Sequence, residues 1–326
     1  MTAGRTLLAI GDPNGIGPEI AVKAAHARTD DPPVLVGDRC VLEPHAAAHG
    51  LTLRDFEPGT PPAAGRVDLV DTARLPPGEH RPGVVSAEAG DATITYVTAA
   101  VRLAQRGGFR GVVAGPHSET AVNAAGIRFR GYPPLLARLT GVPEDRVFLL
   151  LIGGGLRIVH VTLHERLGDA IGRLTPELVA DAGRALHDAL RGLGIGAPRI
   201  GVFGVNPHAG EGGLFGDDDE RVTVPAVAAL TAAGIAAEGP YGADVLLAAG
   251  GRDGRDGFVA MYHDQGHVPV KLLAGTGSAA LTIGAGVPFC SVGHGTAFDI
   301  AGRGAADPAA LIRALDVLEP VKEGAA

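Results

Sequence analysis

The chain has 326 residues, 46% of them hydrophobic, with a formal net charge of −8 and no tryptophan. That length suits two lobes of ordinary size around an aliphatic core. The acidic balance, with no Lys/Arg-rich run, excludes an electrostatic footprint for nucleic acid or anionic lipid.

The 50 Gly and 24 Pro fall between apolar runs rather than in one tract, which argues for many tight turns and against disorder. Two cysteines, Cys40 and Cys290, form neither a disulfide framework nor a CxxC pair, so a reducing compartment is expected. The first apolar run, Leu7 to Ile10, is too short for a secretion signal. No apolar stretch reaches the roughly 18 residues of a membrane span. A cytoplasmic protein without a membrane partner is the expectation.

In chain order, TLLAI, PVLVG, GVVAG, VFLLLIG, LRIVHVTL, RIGVFGV, ADVLLA and GFVAMY read as strands, several apolar on both faces. Between them, segments 91–106 and 176–192 carry apolar residues at helical spacing, the second after Thr175 and Pro176 as a start signal. Alternating β and α segments with fully apolar strands predict an α/β architecture with a mostly parallel sheet. Residues 54–83, rich in Pro and Gly, read as an irregular surface excursion. The end, Val321 to Ala326, reads as a frayed tail.

Four features carry chemistry. The first, Gly11-Asp12-Pro13-Asn14-Gly15-Ile16-Gly17-Pro18-Glu19, follows a strand and opens a helix, where a backbone turn and helix N-terminus suit an anion. It is not the Rossmann GxGxxG fingerprint, and Glu19 fits ordinary capping equally well. The second is a dispersed set of histidines, His160, His164, His208, His263 and His267. Of these, His164, His208 and His263 each follow an apolar strand, where ligand sites of parallel sheets lie. Asp264 adjoins His263 and Asp244 opens the ADVLLA run, so both carboxylates are available to orient imidazoles. The third is Lys271, one of three lysines beside 25 arginines. Its ammonium is suited to an enolate or carboxylate. The fourth is the loop Gly293-His294-Gly295-Thr296-Ala297-Phe298-Asp299-Ile300, whose small residues and carboxylate suit an adenosine cradle or a plain Gly-rich turn.

Together, GDPNGIGPEI, NPHAGEGGLFG, MYHDQGH and GHGTAFDIAGRGAAD resemble the 4-hydroxythreonine-4-phosphate dehydrogenase family over nearly the whole chain. The resemblance implies a two-domain α/β/α sandwich of the isocitrate/isopropylmalate dehydrogenase-like type, with residues 1–128 plus 272–326 in one domain and 129–271 in the other. It implies a homodimer with its active site at the domain and subunit interface. It also implies NAD as cofactor, held by Gly293, His294, Gly295, Thr296, Ala297, Asp299 and Ile300. One divalent metal would be bound by His164, His208 and His263. Zn2+ stands first for that ion, and Mg2+, Mn2+ and Co2+ also suit such a set.

Several segments depart from the family's pyridoxal-pathway pattern. Gly131-Tyr132-Pro133-Pro134 replaces a Gly-His-Thr-Glu segment, Ala280 replaces an Asn, PFCSVGHG lacks an Arg, and Pro116-His117-Ser118-Glu119 replaces Pro-Ile-Asn-Lys. A phosphate dianion needs donors and positive charge, and these changes remove both. The same segments are similar to the terephthalate-pathway branch, which acts on 1,2-dihydroxy-3,5-cyclohexadiene-1,4-dicarboxylate and yields protocatechuate. That similarity implies a small carboxylate substrate and an NAD-dependent, decarboxylating dehydrogenase. His117, Tyr132 and Lys271 would then contact substrate, and Lys271, Asp264 and Asp244 would serve catalysis. The alternatives are a 4-hydroxythreonine-4-phosphate dehydrogenase or sugar-acid phosphate dehydrogenase using Arg128 or Arg130, and a non-catalytic metabolite sensor.

Overall fold

Residues 4–75, 78–274 and 278–319 are described by a computed structural model. The tail read from the sequence as frayed lies outside them. The chain divides into two compact units, one of residues up to 139 together with 287–319, the other of residues 140–286. The limits expected from sequence, after 128 and after 271, lie earlier in the chain at both joins.

The first unit contains β1 (Arg5–Ala9), β2 (Val34–Gly37), β3 (Thr52–Asp55), β4 (Arg66–Asp71), β5 (Phe109–Ala114) and β12 (Phe289–Ser291). They lie in the order β3-β4-β2-β1-β5-β12, every neighbour parallel. Around them run α1 (Gly17–Ala27), α2 (Arg39–Ala48), α3 (Ala87–Gln105), α4 (Glu119–Ala124), α5 (Tyr132–Thr140) and α12 (Ala309–Val317). Leu7, Leu8, Leu35, Val36, Val112 and Val113 are fully buried, as two-sided apolar strands of a covered parallel sheet must be. α3 starts where the Ser86 hydroxyl accepts from the Ala89 N–H at 3.1 Å.

The 54–83 stretch corrects its sequence reading. It contributes β4, which lies between β2 and β3 with Val67 and Leu69 buried, and its end folds back onto the Asp12–Asn14 turn. Pro and Gly occupy the loops on either side of RVDLVD, and that clustering hid a short strand within them.

The second unit contains β6 (Phe148–Gly153), β7 (Leu156–His160), β8 (Arg199–Phe203), β9 (Ala236–Tyr241), β10 (Gly257–Ala260) and β11 (Ala279–Ile283). Their order is β11-β6-β7-β10-β8-β9, antiparallel at β11-β6 and β6-β7 and parallel from β7 onward. Its helices are α6 (Leu167–Arg173), α7 (Pro176–Gly192), α8 (Val224–Ala232), α9 (Ala243–Leu247), α10 (Ala249–Arg252) and α11 (His263–Ala274). Gly154 and Gly155 close the β6–β7 hairpin with φ of 58° and 79°, the left-handed pair that a two-residue turn requires. Phe203 and Phe258 stack at 5.7 Å in a core shared with Leu151, Ile158 and Val270. Burial of each such ring stabilises by roughly 1.5–3 kcal/mol.

ADVLLA, read as a strand, is instead α9. Asp244 stands in its first turn, where a carboxylate favours the helix dipole; Leu246 is buried while Val245 faces outward, a helical division of faces. Among the described residues, no helix is long and apolar enough to cross a membrane.

Candidate functional site

In the second unit, β7, β10 and β8 are adjacent and parallel, so the chain leaves all three at one edge of the sheet. His164 follows β7, His263 follows β10 and His208 follows β8, placing the three expected metal ligands along that edge. His164 and His263 come together, with ring centroids 5.5 Å apart. They line a cavity of about 310 Å³ with Asp264, Tyr262, Leu163 and Leu167 among its other walls.

His208 stands in a separate group. Its side chain is 65% exposed and its Nδ1 donates to Glu211 at 2.6 Å, which raises its pKa; Asp244 adds to the same effect. The backbone there is forced. His208, Ala209 and Glu211 have φ of 53°, 53° and 44°, a left-handed conformation that costs non-glycine residues about 1–3 kcal/mol each. Asp219, almost fully buried, holds the preceding turn by accepting from the N–H groups of Val205 and Asn206 and from the Thr223 hydroxyl.

The hydrogen bonds determine which imidazole nitrogens are bare. His263 Nδ1 donates to Asp264 Oδ1 at 2.6 Å, and His208 Nδ1 donates to Glu211, so each ring leaves Nε2 as a lone pair. A carboxylate behind the imidazole is the arrangement that makes histidine a good metal ligand. Among the described residues, no three His, Cys, Asp or Glu side chains of one chain converge as a metal cage. The donor chemistry at His263 and His208 suits a divalent cation.

Two further histidines join this cluster. His160 ends β7 and is nearly fully buried; burial and its histidine neighbours push its pKa down to about 3, so it is neutral. Its Nδ1 donates to the Leu149 carbonyl at 3.2 Å, and its Nε2 lies 3.0 Å from His267 Nδ1. Gln265 ties the same edge together, accepting from the Met261 N–H at 2.7 Å and donating to the Gly204 carbonyl at 2.8 Å. Strand-end position in the sequence singles out His164 and His263; nothing local marks Gln265 or Asp219, whose partners lie on other elements. Lys271 follows on α11, solvent-exposed, its Nζ donating to Ser278 Oγ at 2.7 Å.

In the first unit, β1, β5 and β12 are also adjacent and parallel, and the chain order reverses between β1 and β5. Ligands of open α/β sheets bind outside the carboxyl ends at such a point. Three loops meet there. Asp12 N–H donates to the Pro116 carbonyl at 2.9 Å, and Ile16 N–H donates to the Thr296 carbonyl at 2.9 Å. Asn14 binds the 81–84 segment through both its amide nitrogen and its oxygen. Burial pushes the Asp12 carboxyl up to about 6, against the Asn14 N–H that bonds its Oδ1; its Oδ2 finds no partner among the described residues.

Within the expected cofactor loop, Thr296 is buried and holds the turn, while Gly293, His294, Gly295 and Asp299 are exposed and Ala297 and Ile300 half-buried. The segment just after the loop is clamped from α1. Glu19 accepts from the N–H groups of Gly304 and Ala306, and Lys23 donates to both of those residues' carbonyls.

His117 and Tyr132 also meet in the first unit, edge to face at 4.8 Å, with Phe129 5.1 Å from His117 and Phe289 4.7 Å from Tyr132. Burial lowers the His117 pKa, which favours the neutral ring. Tyr132 is only 5% exposed and its hydroxyl has no partner among the described residues. Its placement is that of a packed support behind His117 rather than of an open contact surface.

The family model of the pyridoxal phosphate biosynthetic protein PdxA matches residues 29–318. The 1,2-dihydroxy-3,5-cyclohexadiene-1,4-dicarboxylate dehydrogenase of Comamonas sp is 46% identical over 322 residues, covering 96% of each chain. The D-threonate 4-phosphate dehydrogenase of Cupriavidus necator is 43% identical over 316 residues, covering 94% of each. The crystal structure of a terephthalate 1,2-cis-dihydrodiol dehydrogenase from Burkholderia xenovorans LB400 superposes with a TM-score of 0.85 at 52% identity, covering 98% of this chain and 99% of that one. Matched along nearly its whole length, in sequence and in fold, this chain belongs to the PdxA family.

Proposed function

We propose that this chain is an NAD-dependent, divalent-metal-dependent dehydrogenase. It oxidises the C2 hydroxyl of 1,2-dihydroxy-3,5-cyclohexadiene-1,4-dicarboxylate and releases CO2 to give protocatechuate. It works in the cytoplasm as a homodimer of two-domain α/β/α subunits, with the active site at the subunit interface. The observation that carries this reading is the set of side chains around His117. A neutral, half-buried imidazole and packed aromatic rings stand there, and a phosphate dianion would need cationic donors.

When bound, the nicotinamide takes the hydride, and the cation, as a Lewis acid, lowers the pKa of the substrate hydroxyl and withdraws charge as the carboxylate leaves. His164 and His263 hold the cation, with Asp264 fixing the His263 tautomer. His208 completes the set from the second copy, with Glu211 and Asp244 behind it. Lys271 presents its ammonium to the carboxylate and then to the enolate left after CO2 departs. That enolate is already the catecholate of an aromatic ring, so the second step runs downhill. His117, backed by Tyr132, meets the remote carboxylate. The exposed 293–300 loop holds the adenosine end of NAD, Asp299 accepting from the ribose.

Product analysis tests this directly: one protocatechuate and one CO2 should appear for each NADH. NADH without CO2 would remove the decarboxylation from the reading.

A second reading has one observation in its favour. Arg128 and Arg130 are exposed on either side of buried Phe129, and they are the groups a phosphorylated hydroxy acid would use.

A further inference from the structure

We propose that His160 and His267 form a positioning pair that sets the plane in which His263 presents its Nε2. This inference rests on the reading of His263 as a ligand of the divalent cation.

The tautomers follow by elimination. The Leu149 carbonyl can only accept, so His160 carries its proton on Nδ1 and leaves Nε2 bare. The 3.0 Å contact to that bare nitrogen then requires His267 to donate from Nδ1, and the His263 carbonyl 3.3 Å from the same atom can also only accept. His267 is thereby held at one nitrogen by a rigid partner that belongs to the sheet. Its ring lies against His263 with centroids 3.8 Å apart and planes 11° apart.

Spacing of four residues on one helix would normally suggest that His263 and His267 share a metal ion. The geometry opposes that. An imidazole lone pair lies in its ring plane, and two nearly parallel planes do not converge on one ion at bonding distance. His267 therefore acts on His263 as a flat platform. With Asp264 on its Nδ1 and His267 on its face, His263 loses both the rotation and the tilt that would move Nε2.

Gly266 makes room for the device. A Cβ there would come within 2.4 Å of His160 Nε2, so a side chain at this position would push His160 off His267. The buried imidazole also explains itself this way, since a buried polar ring with both nitrogens paired is a satisfied group.

The test compares His267→Leu with His267→Phe, and His160→Leu with His160→Gln, in the full-length protein. Zn2+ affinity is measured by chelator competition and imidazole tautomers by 15N NMR of the metal-free protein. The expected result is a loss of Zn2+ affinity on the order of 10–100-fold for the leucine variants. Phenylalanine, which keeps the flat ring, and glutamine, which keeps a donor and an acceptor, restore most of it. Leucine variants that bind Zn2+ as tightly as the wild type, or a wild-type His267 protonated on Nε2, overturn the proposal. If the wild type binds no Zn2+, the cation reading falls. The pair is then judged by NMR alone: His263 ring resonances that shift or broaden in His267→Leu and recover in His267→Phe uphold it, and resonances unchanged in His267→Leu overturn it.

Discussion

The Lys23 ammonium donates to the carbonyl of Ala306 at 2.8 Å, joining the first helix to the segment that leads into the last one. The same ammonium binds Glu19 at 2.7 Å, whose carboxylate holds the N–H of Ala306. This clamp holds the segment that directly follows the loop read as the NAD cradle. Lys23→Met should raise the KM for NAD+ several-fold and leave kcat within about twofold, since a positioning contact acts on uniform binding. Steady-state kinetics at saturating substrate checks it; an unchanged KM would separate the clamp from the cofactor.

Asp12 gives a pH signature. Its carboxyl is raised from 3.8 to about 6, so the folded chain binds this proton more tightly than the unfolded chain does. The associated stability is fully present below the ordinary value and is lost as pH rises through about 6. Asp12→Asn keeps an acceptor for the Asn14 N–H and removes the buried charge. It should gain on the order of 1–3 kcal/mol over wild type near pH 8 and little at low pH. Urea unfolding across that pH range measures the difference; parallel curves for the two proteins would contradict it.

Among the described residues His164, His208 and His263 are not gathered into one three-ligand group, which leads to a mixing experiment. His208→Ala and His263→Ala should each lose metal on dialysis and be inactive. If each site takes its histidines from two copies, an equal mixture should recover about a quarter of wild-type turnover through heterodimers. No recovery after confirmed subunit exchange would place the whole set within one copy.

Lys271 is exposed and bonded only to Ser278 in the described structure, so its removal should spare the fold. Lys271→Ala should lower turnover about 10²–10³-fold, the usual effect of losing a group that stabilises developing negative charge. Equilibrium binding of NAD+, followed by fluorescence, should be unchanged. Near-normal turnover would take Lys271 out of the chemistry.

What the sequence reveals divides along local and distant effects. α7 begins where Thr175 and Pro176 say it should, because an N-cap is a contact within four residues: the Thr175 hydroxyl accepts from the Leu178 N–H at 3.2 Å. The ADVLLA run failed because six residues are too few to separate a period of two from one of 3.6. β4 failed because its flanking prolines dominated the composition. At the candidate site, proximity to strand ends placed His164, His208 and His263 along one sheet edge, since the C-terminal edge of a parallel sheet is set by topology, and His164 and His263 do lie together there. The His160–His267 bond joins residues 107 positions apart, and no local pattern carries that information. Tyr132 shows the converse. A Gly-Tyr-Pro segment looks like a contact surface in the sequence, and only packing against Phe129 and Phe289 reveals a buried support.

The central claim is the identity of the substrate. NADH formation should be followed with purified protein, NAD+ and Zn2+ or Mg2+, using the cis-dihydrodiol of terephthalate and 4-hydroxythreonine 4-phosphate in parallel. Turnover of the dihydrodiol alone, with protocatechuate accumulating, is the predicted result. Turnover of the phosphate ester with the dihydrodiol inert would contradict the account and return the site to Arg128 and Arg130.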